Sequence, residues 1–165
     1  MDSLITYYLE MQTPQAFSEQ AHFDLKEIET PQFQFNRFLY QLVGSAWQWT
    51  DKLSWNSEQW QALVNNPYHR TWVAYQQGAI VGYYELQRVH DDVELLYFGL
   101  SPQFIGKRLG KVLLEAAIRS AWQWQGAKRV WVHTCNLDHP AALANYQARG
   151  FTLYDQTEER LPAPL

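Results

Sequence analysis

The residues whose types and spacing are best suited to chemistry lie at positions 101–111, between a predicted strand and a predicted helix. The segment contains two glycines, Gly106 and Gly110, and three cations, Lys107, Arg108 and Lys111. The start of a helix presents unpaired N–H groups and a partial positive charge, and glycine lets a phosphate approach the backbone closely. The segment therefore predicts a pyrophosphate site, although a solvated basic turn would have the same composition.

Two common phosphate-binding motifs do not fit this segment. Its glycines are not spaced as Gly-x-Gly-x-x-Gly, the motif that holds the pyrophosphate of a dinucleotide. It also lacks the Gly-Lys-Ser/Thr ending of a loop that binds nucleoside triphosphates. The pyrophosphate would therefore belong to another kind of ligand.

Glu94 is the first candidate for proton transfer. It lies in a predicted strand between Val93 and Leu95, at a sheet edge or in a cleft, where partial burial would suit a carboxylate to act as a base. In a regular strand its side chain would share a face with Leu96 and Phe98. A solvated glutamate at a strand end is the alternative.

Tyr146 is the second candidate. It lies on a predicted amphipathic helix, and a phenol stays protonated at neutral pH, so it can donate a hydrogen bond to a reacting group. A tyrosine that only packs in the core is the alternative. Cys135 lacks a convincing base and oxyanion arrangement in the sequence, so we expect no covalent thiol intermediate.

The hydrophobic pattern places these residues in alternating strands and helices. It predicts strands at residues 4–11, 71–76, 79–88, 93–100, 129–134 and 151–154, and helices at 33–42, 57–65, 109–125 and 141–148. Gln77 and Gly78 predict a hairpin turn. Ser57 would cap its helix, Pro140 would begin the last helix, and Gly150 would end it.

Length and connections define the fold class. The strand at 93–100, the following helix and the strand at 129–134 form a βαβ crossover, whose two strands run parallel. Strands joined by short turns run antiparallel, so the sheet would be mixed. With no linker and no internal repeat, we predict one domain over residues 1–165, of the α/β (α+β) class.

Together with its flanks, the segment at 101–111 resembles the acetyl-CoA signature of the GNAT superfamily of N-acetyltransferases. The family pattern Arg/Gln-x-x-Gly-x-Gly/Ala falls on residues 105–110. Ile105 replaces the usual Arg or Gln, Arg108 replaces the middle Gly, and the final Gly110 is kept. The similarity runs from Val93 to Leu114 and continues at Asn136, Tyr146 and Gly150-Phe151.

The resemblance implies a GNAT-like domain, with helices on both faces of the sheet, that binds acetyl-CoA. It assigns to the cofactor Phe98, Gly99, Leu100, Ile105, Gly106, Lys107, Arg108, Leu109, Gly110, Lys111, Asn136 and Tyr146. It places Glu94 where some members hold a general base, and Tyr146 opposite the cofactor sulfur. A backbone N–H near Gly99 or Leu100 would stabilise the oxyanion.

Four tryptophans crowd into one short stretch: Trp47, Trp49, Trp55 and Trp60. The helices around them would lie beside the acceptor site in the GNAT fold. We expect Trp60, at helical spacing with apolar neighbours, to lie in the core. Trp47 and Trp49, with Asp51, would hold an amine by cation–π contact and charge attraction. Packing of these residues in a core is the alternative.

Composition excludes several classes of protein. The net charge of -4 argues against nucleic-acid binding, no apolar run is long enough to span a membrane, and the lone Cys135 cannot form an internal disulfide. We therefore expect a cytoplasmic protein with neither nucleic acid nor membrane as partner. No residues show metal-ligand spacing, so no metal is expected, and His133, His139 and His90 are expected to be structural or surface residues.

The predicted activity is direct transfer of an acetyl group from acetyl-CoA to a primary amine on a small molecule or peptide. Two alternatives remain: a non-catalytic acyl-CoA sensor, and a small-molecule binding module that uses the tryptophan cluster without CoA. The sequence is also compatible with a homodimer.

Overall fold

The computed structural model describes residues 3–17 and 21–162, which form seven strands and four α-helices. In chain order they are β1 (Ser3–Met11), β2 (Asp24–Glu27), α1 (Phe33–Gly44), α2 (Ser57–Val64), β3 (His69–Gln76), β4 (Ala79–Val89), β5 (Asp92–Leu100), α3 (Leu109–Gln123), β6 (Arg129–Cys135), α4 (Ala142–Ala148) and β7 (Thr152–Arg160). Every predicted strand and helix is confirmed. The hydrophobic pattern missed β2, because three of its four residues are charged.

The strands form one sheet in the order β2-β3-β4-β5-β6-β1-β7. Strands β5 and β6 pair in parallel across α3, as the βαβ crossover predicted, and the other described pairs are antiparallel. Gln77 and Gly78 have φ values of 51° and 83°, as a tight hairpin turn between β3 and β4 requires. Strand β1 lies between β6 and β7, so the first and the last of the described strands are neighbours in the sheet.

Helices cover both faces of the sheet, as expected for the fold class. Leu113 and Ile118 of α3 belong to a buried cluster with Val93 of β5. On the opposite face, Leu39 of α1 packs in a second cluster with Val73 of β3. Each of these side chains is essentially inaccessible to solvent, and burying such a side chain contributes about 1.5–3 kcal/mol.

The parallel pair β5–β6 is short. Residues Asp92 to Glu94 pair with Arg129 to Trp131, and the register ends there, although β5 continues to Leu100 and β6 to Cys135. We call the space between the C-terminal halves of these two strands the wedge. Backbone N–H and C=O groups that face it are not used by the β5–β6 ladder, so they can bind a ligand.

A buried polar network attaches α1 to the sheet. The Asn36 amide donates hydrogen bonds to Thr71 Oγ1 at 2.9 Å and to Glu85 Oε1 at 3.1 Å. His69 Nε2 lies 2.5 Å from the same Glu85 oxygen. All four side chains are buried, so each depends on the others for its polar partners. This network fixes α1 above β3 and β4.

Two predicted helix starts move by one or two residues. Asn56, rather than Ser57, caps α2: its Oδ1 accepts the Gln59 N–H at 2.9 Å, while Gln59 Oε1 accepts the Asn56 N–H at 2.9 Å. Pro140 lies before the N-cap residue Ala141 of α4, outside the first turn where the sequence predicted it. Adjacent residues can both suit a cap, and the hydrogen bonds decide between them.

We expect Gly82→Ala to lower the free energy of unfolding by about 1–3 kcal/mol, the usual cost of overpacking. A Cβ at Gly82 would overlap the carbonyl oxygen of Gly99 and lie 2.9 Å from Leu113 Cδ2, so β4 and β5 would have to separate. The matched control is Gly110→Ala, whose Cβ would make an ordinary 3.7 Å contact with Leu100. Urea denaturation measures both, and equal stability of the two variants would contradict this packing.

Candidate active site

A cavity of about 540 Å³ lies beside the wedge, between β5, the turn into α3, and α4. Nine of the residues that the sequence assigned to the cofactor line it: Phe98, Gly99, Leu100, Ile105, Gly106, Arg108, Gly110, Lys111 and Tyr146. The rest of the lining includes Trp47, Asp138, His139 and small residues of α4. Residues distant in the chain thus surround one space.

The turn into α3 has the backbone geometry that its glycines predicted. Gly106 has φ of 86°, and Arg108, the residue before α3, has φ of 62°. A positive φ normally favours glycine and costs another residue about 1–2 kcal/mol. Arg108, at the position where the GNAT pattern has its middle glycine, therefore takes a left-handed conformation that favours glycine, and it lines the cavity. The first N–H groups of α3 have no acceptor within the helix, as for any helix start.

Two predicted cofactor residues in this turn lie outside the cavity lining. The Lys107 ammonium lies over the Phe104 ring, 5.3 Å from its centre. Leu109 packs against the main buried cluster of the protein. Arg108 and Lys111 are therefore the cations of this turn that line the cavity.

Asn136 also lies outside the cavity lining. Its Oδ1 accepts the Ile5 N–H at 3.0 Å, and its amide nitrogen donates to the Ser3 carbonyl at 2.8 Å. Both polar groups of the side chain are thus used to join the end of β6 to β1. The predicted contact between Asn136 and the cofactor has no support in this arrangement.

Tyr146 lies on α4 and lines the cavity. The residue is 5% exposed, and its ring contacts those of Phe98 and Phe151 at centre distances of 6.2 and 5.8 Å. Burial raises the pKa of the phenol, and the nearby negative charge of Asp138 raises it further. Tyr146 therefore stays protonated at neutral pH and can donate a hydrogen bond into the cavity.

Glu94 is the last residue of β5 paired with β6, so it lies where the wedge begins. Its side chain is 13% exposed, and its Oε2 lies 3.3 Å from His133 Nδ1 on β6. The two predicted catalytic residues therefore lie on different elements, Glu94 on β5 and Tyr146 on α4. Glu94 itself is not part of the cavity lining described above.

The predicted alternation along β5 is wrong after Leu95. The register with β4 slips by one residue, so that Leu86 pairs with Leu95 but Glu85 pairs with Tyr97. The extra residue reverses the faces: Phe98 joins the same buried cluster as Leu95, whereas Glu94 points to the other face. Glu94 therefore does not share a face with Phe98, and shares one with Tyr97 instead.

The two tryptophans predicted to bind the acceptor lie in different surroundings in the structure. Trp47 lines the cavity, with its ring 4.8 Å from that of His139. Trp49 packs against Tyr97 at 5.2 Å and fills the space left by the missing side chain of Gly44. Trp60 is buried, as predicted. Asp51, the third residue of the predicted amine site, is exposed.

Sequence reasoning missed the role of Lys52. Its ammonium lies 4.5 Å from the centre of the Trp55 ring and 4.8 Å from that of Tyr97, and it donates a hydrogen bond to the Tyr97 hydroxyl. Burial lowers the pKa of Lys52, and the negative charge of Glu85 opposes the effect. The faces of the Trp55 and Tyr97 rings thus already hold the ammonium group of Lys52. The tryptophans near Lys52 in the sequence were a signal for a cation–π contact, but nothing in the sequence placed Lys52 beside Tyr97.

The described residues contain neither a metal-binding cluster nor a membrane-spanning helix. Among residues 3–17 and 21–162, no group of three or more His, Cys, Asp or Glu is arranged to hold a metal ion. None of the described helices is both long enough and apolar enough to cross a bilayer.

The fold and the site define a class of protein. A mixed sheet that opens between two parallel strands, beside a helix start with cations, suits an elongated ligand that carries a pyrophosphate. The family model for the acetyltransferase (GNAT) family matches residues 23–151, which is more than half of the chain. The chain therefore belongs to the GNAT family of acetyltransferases. Strands β1 and β7 lie outside the matched residues.

Solved structures share this fold. An aminoglycoside acetyltransferase from an uncultured soil metagenomic sample, in complex with sisomicin, matches with a TM-score of 0.66 and 17% identity over 87% of this chain and 96% of its own. The PaiA N-acetyltransferase of Thermoplasma acidophilum, in complex with coenzyme A, matches with a TM-score of 0.57 and 17% identity over 84% of this chain and 99% of its own. At such low identity these similarities establish the fold alone.

A third solved structure is longer than this chain. It is a functionally unknown conserved protein from Staphylococcus epidermidis, with a TM-score of 0.60 and 14% identity. The similarity covers 94% of this chain but 59% of that protein. No curated protein sequence matches the chain.

Proposed function

We propose that this protein transfers an acetyl group from acetyl-CoA directly to a primary amine. The observation that carries the proposal is the cavity beside the wedge, because it joins the cation-bearing start of α3 to the buried hydroxyl-bearing ring of Tyr146. The first feature suits the pyrophosphate of CoA, and the second suits the proton chemistry of a departing thiol.

The residues of the cavity fit the parts of acetyl-CoA. Arg108 and Lys111, with the N–H groups at the start of α3, would hold the pyrophosphate. At Gly106 a Cβ would meet nothing within 4 Å, so the backbone there is open to a ligand. The apolar side chains of Phe98 and Leu100 line the cavity farther along β5, as the less polar pantetheine requires. When bound, acetyl-CoA would supply the activated acetyl group.

Two proton transfers remain for the protein. The acceptor amine must lose a proton before it can attack, and Glu94, paired with His133, provides a base where the wedge begins. Tyr146 would donate a hydrogen bond to the leaving sulfur. The presence of both a carboxylate–imidazole pair and a buried phenol favours an enzyme over the alternative, a non-catalytic acyl-CoA sensor. A cytoplasmic location and a homodimer remain predictions from the sequence.

The test is a thiol-release assay with acetyl-CoA and a panel of amines. The panel contains sisomicin, because a protein of similar fold was solved with it, together with spermidine and a tripeptide that has a free N-terminus. We expect at least one amine to release free CoA thiol, and mass spectrometry to show one added acetyl group on that amine. CoA binding without turnover on any amine would instead support the sensor. Absence of CoA binding would support the binding module.

A further inference from the structure

The contact between Glu94 and His133 is absent from the predicted site, because the sequence treated His133 as structural. The two residues lie on neighbouring strands at the beginning of the wedge, with Glu94 Oε2 3.3 Å from His133 Nδ1. Glu94 is 13% exposed and His133 is 46% exposed. The carboxylate is therefore the inner member of the pair, and the imidazole is the member that reaches solvent.

The strand register explains why the pair forms there. Trp131 is the last residue of β6 that pairs with β5, and its partner is Glu94. His133 follows two positions later, on the same face of β6, so its ring extends along the first open part of the wedge. The ring is also held from β1, where Tyr8 pairs with His133 and lies 5.9 Å from it between ring centres.

We propose that His133, rather than Glu94, takes the proton of the acceptor amine, and that Glu94 orients the imidazole. The inference rests on the proposed function and changes the assignment of the base. An ionised Glu94 can only accept hydrogen bonds, so we assign the proton of the neutral imidazole to Nδ1, on the side of Glu94, and the lone pair to Nε2. A carboxylate that holds a histidine in one tautomer in this way is a recurring arrangement in enzymes.

The proton balance follows from that tautomer. One N–H bond of the acceptor ammonium breaks, an Nε2–H bond forms on His133, and the lone pair left on the acceptor nitrogen forms a bond to the acetyl carbon, whose C–S bond breaks. The departing thiolate takes up the second proton that the acetylated nitrogen loses, so the products are the amide and the free thiol. The negative charge of Glu94 stabilises the imidazolium while it exists. Because the imidazole is half exposed, Nε2 then releases its proton to water, and the pair returns to its first state.

Other side chains lie near the Glu94–His133 pair, but none of those described below takes the role of either residue. Tyr8 faces His133 from β1, and the Trp131 ring lies 6.0 Å from the imidazole on the same strand. Lys52, from the segment between α1 and α2, interacts with the negative charge of Glu94.

The experiment compares two substitutions of His133 in the full chain. Asparagine keeps an amide N–H near the position of Nδ1, so it can still donate to Glu94, but it cannot accept a proton. His133→Asn and His133→Ala should therefore both lower kcat by about a hundredfold at neutral pH, the lower range for a positioned base. Added imidazole should restore much of the rate of His133→Ala, because the site is open to solvent. The control is His22→Asn. His22 is exposed and lies just before the edge strand β2, so this variant should match the wild type.

The outcomes separate this proposal from the proposed function. Turnover by the wild type establishes acetyl transfer, and a wild-type rate for His133→Asn would then overturn the role of His133 alone. If Glu94 is itself the base, Glu94→Gln should lose far more rate than His133→Asn, and added imidazole should not restore the rate of His133→Ala. A readout independent of turnover is the ¹⁵N spectrum of labelled histidine, with His133 assigned from the His133→Asn variant. Its Nδ1 resonance should move in Glu94→Gln, and an unchanged shift would also overturn the proposal.

Discussion

Gly110→Asp should weaken the binding of CoA by about a hundredfold while the protein remains folded. Gly110 is the second residue of α3 and lines the cavity, and a Cβ there would meet only Leu100 Cδ1, at 3.7 Å. The new carboxylate would stand beside Arg108 and Lys111, where the pyrophosphate is expected, and like charges placed together cost several kcal/mol. A hundredfold change in Kd corresponds to about 2.8 kcal/mol.

The same carboxylate should not destabilise the fold, because a negative charge in the first turn of a helix is favourable. Binding and stability should therefore change in different directions, which separates a site effect from misfolding. Calorimetry with CoA on Gly110→Ala, Gly110→Asn and Gly110→Asp measures the series, and we expect the loss to be small, intermediate and large in that order. Undiminished affinity in folded Gly110→Asp would show that the pyrophosphate binds elsewhere.

Tyr146→Phe should lower the rate of acetyl transfer by about a hundredfold and leave CoA binding close to normal. Phenylalanine keeps the ring contacts with Phe98 and Phe151, and only the hydroxyl is lost. Burial raises the pKa of this phenol, so it acts as a hydrogen-bond donor over the whole neutral range. Its contribution belongs to the transition state, where negative charge develops on sulfur.

The acidity of the leaving thiol distinguishes this role from packing. A more acidic thiol carries the developing charge more easily, so an acetyl thioester of such a thiol should lose less rate in Tyr146→Phe than acetyl-CoA does. The comparison uses single-turnover rates, in which chemistry rather than product release is measured. A Phe variant that transfers acetyl from CoA at the wild-type rate would make Tyr146 a packing residue.

Local sequence was sufficient for the described strands and helices other than β2 and for much of the cavity. A glycine- and cation-bearing segment before an apolar helical stripe predicted the turn into α3, and this turn lies beside the cavity in the structure. The reason is that helix periodicity, caps and positive φ depend on residues close together in the chain. Arg108 shows the limit of matching a sequence to a family pattern. It departs from the glycine of the pattern, yet it adopts a left-handed conformation that usually favours glycine.

Tertiary structure alone decided which side chains meet across the sheet. The slip in register between β4 and β5 separates Glu94 from Phe98, and no local pattern predicts a bulge of that kind. The pairing of β5 with β6 brings His133 to Glu94, the fold of the α1–α2 segment brings Lys52 to Tyr97, and the insertion of β1 beside β6 draws Asn136 away from the cavity. Each of these contacts joins residues far apart in the chain, so its geometry depends on the strand order and register of the whole sheet, which residue types and spacing do not encode locally.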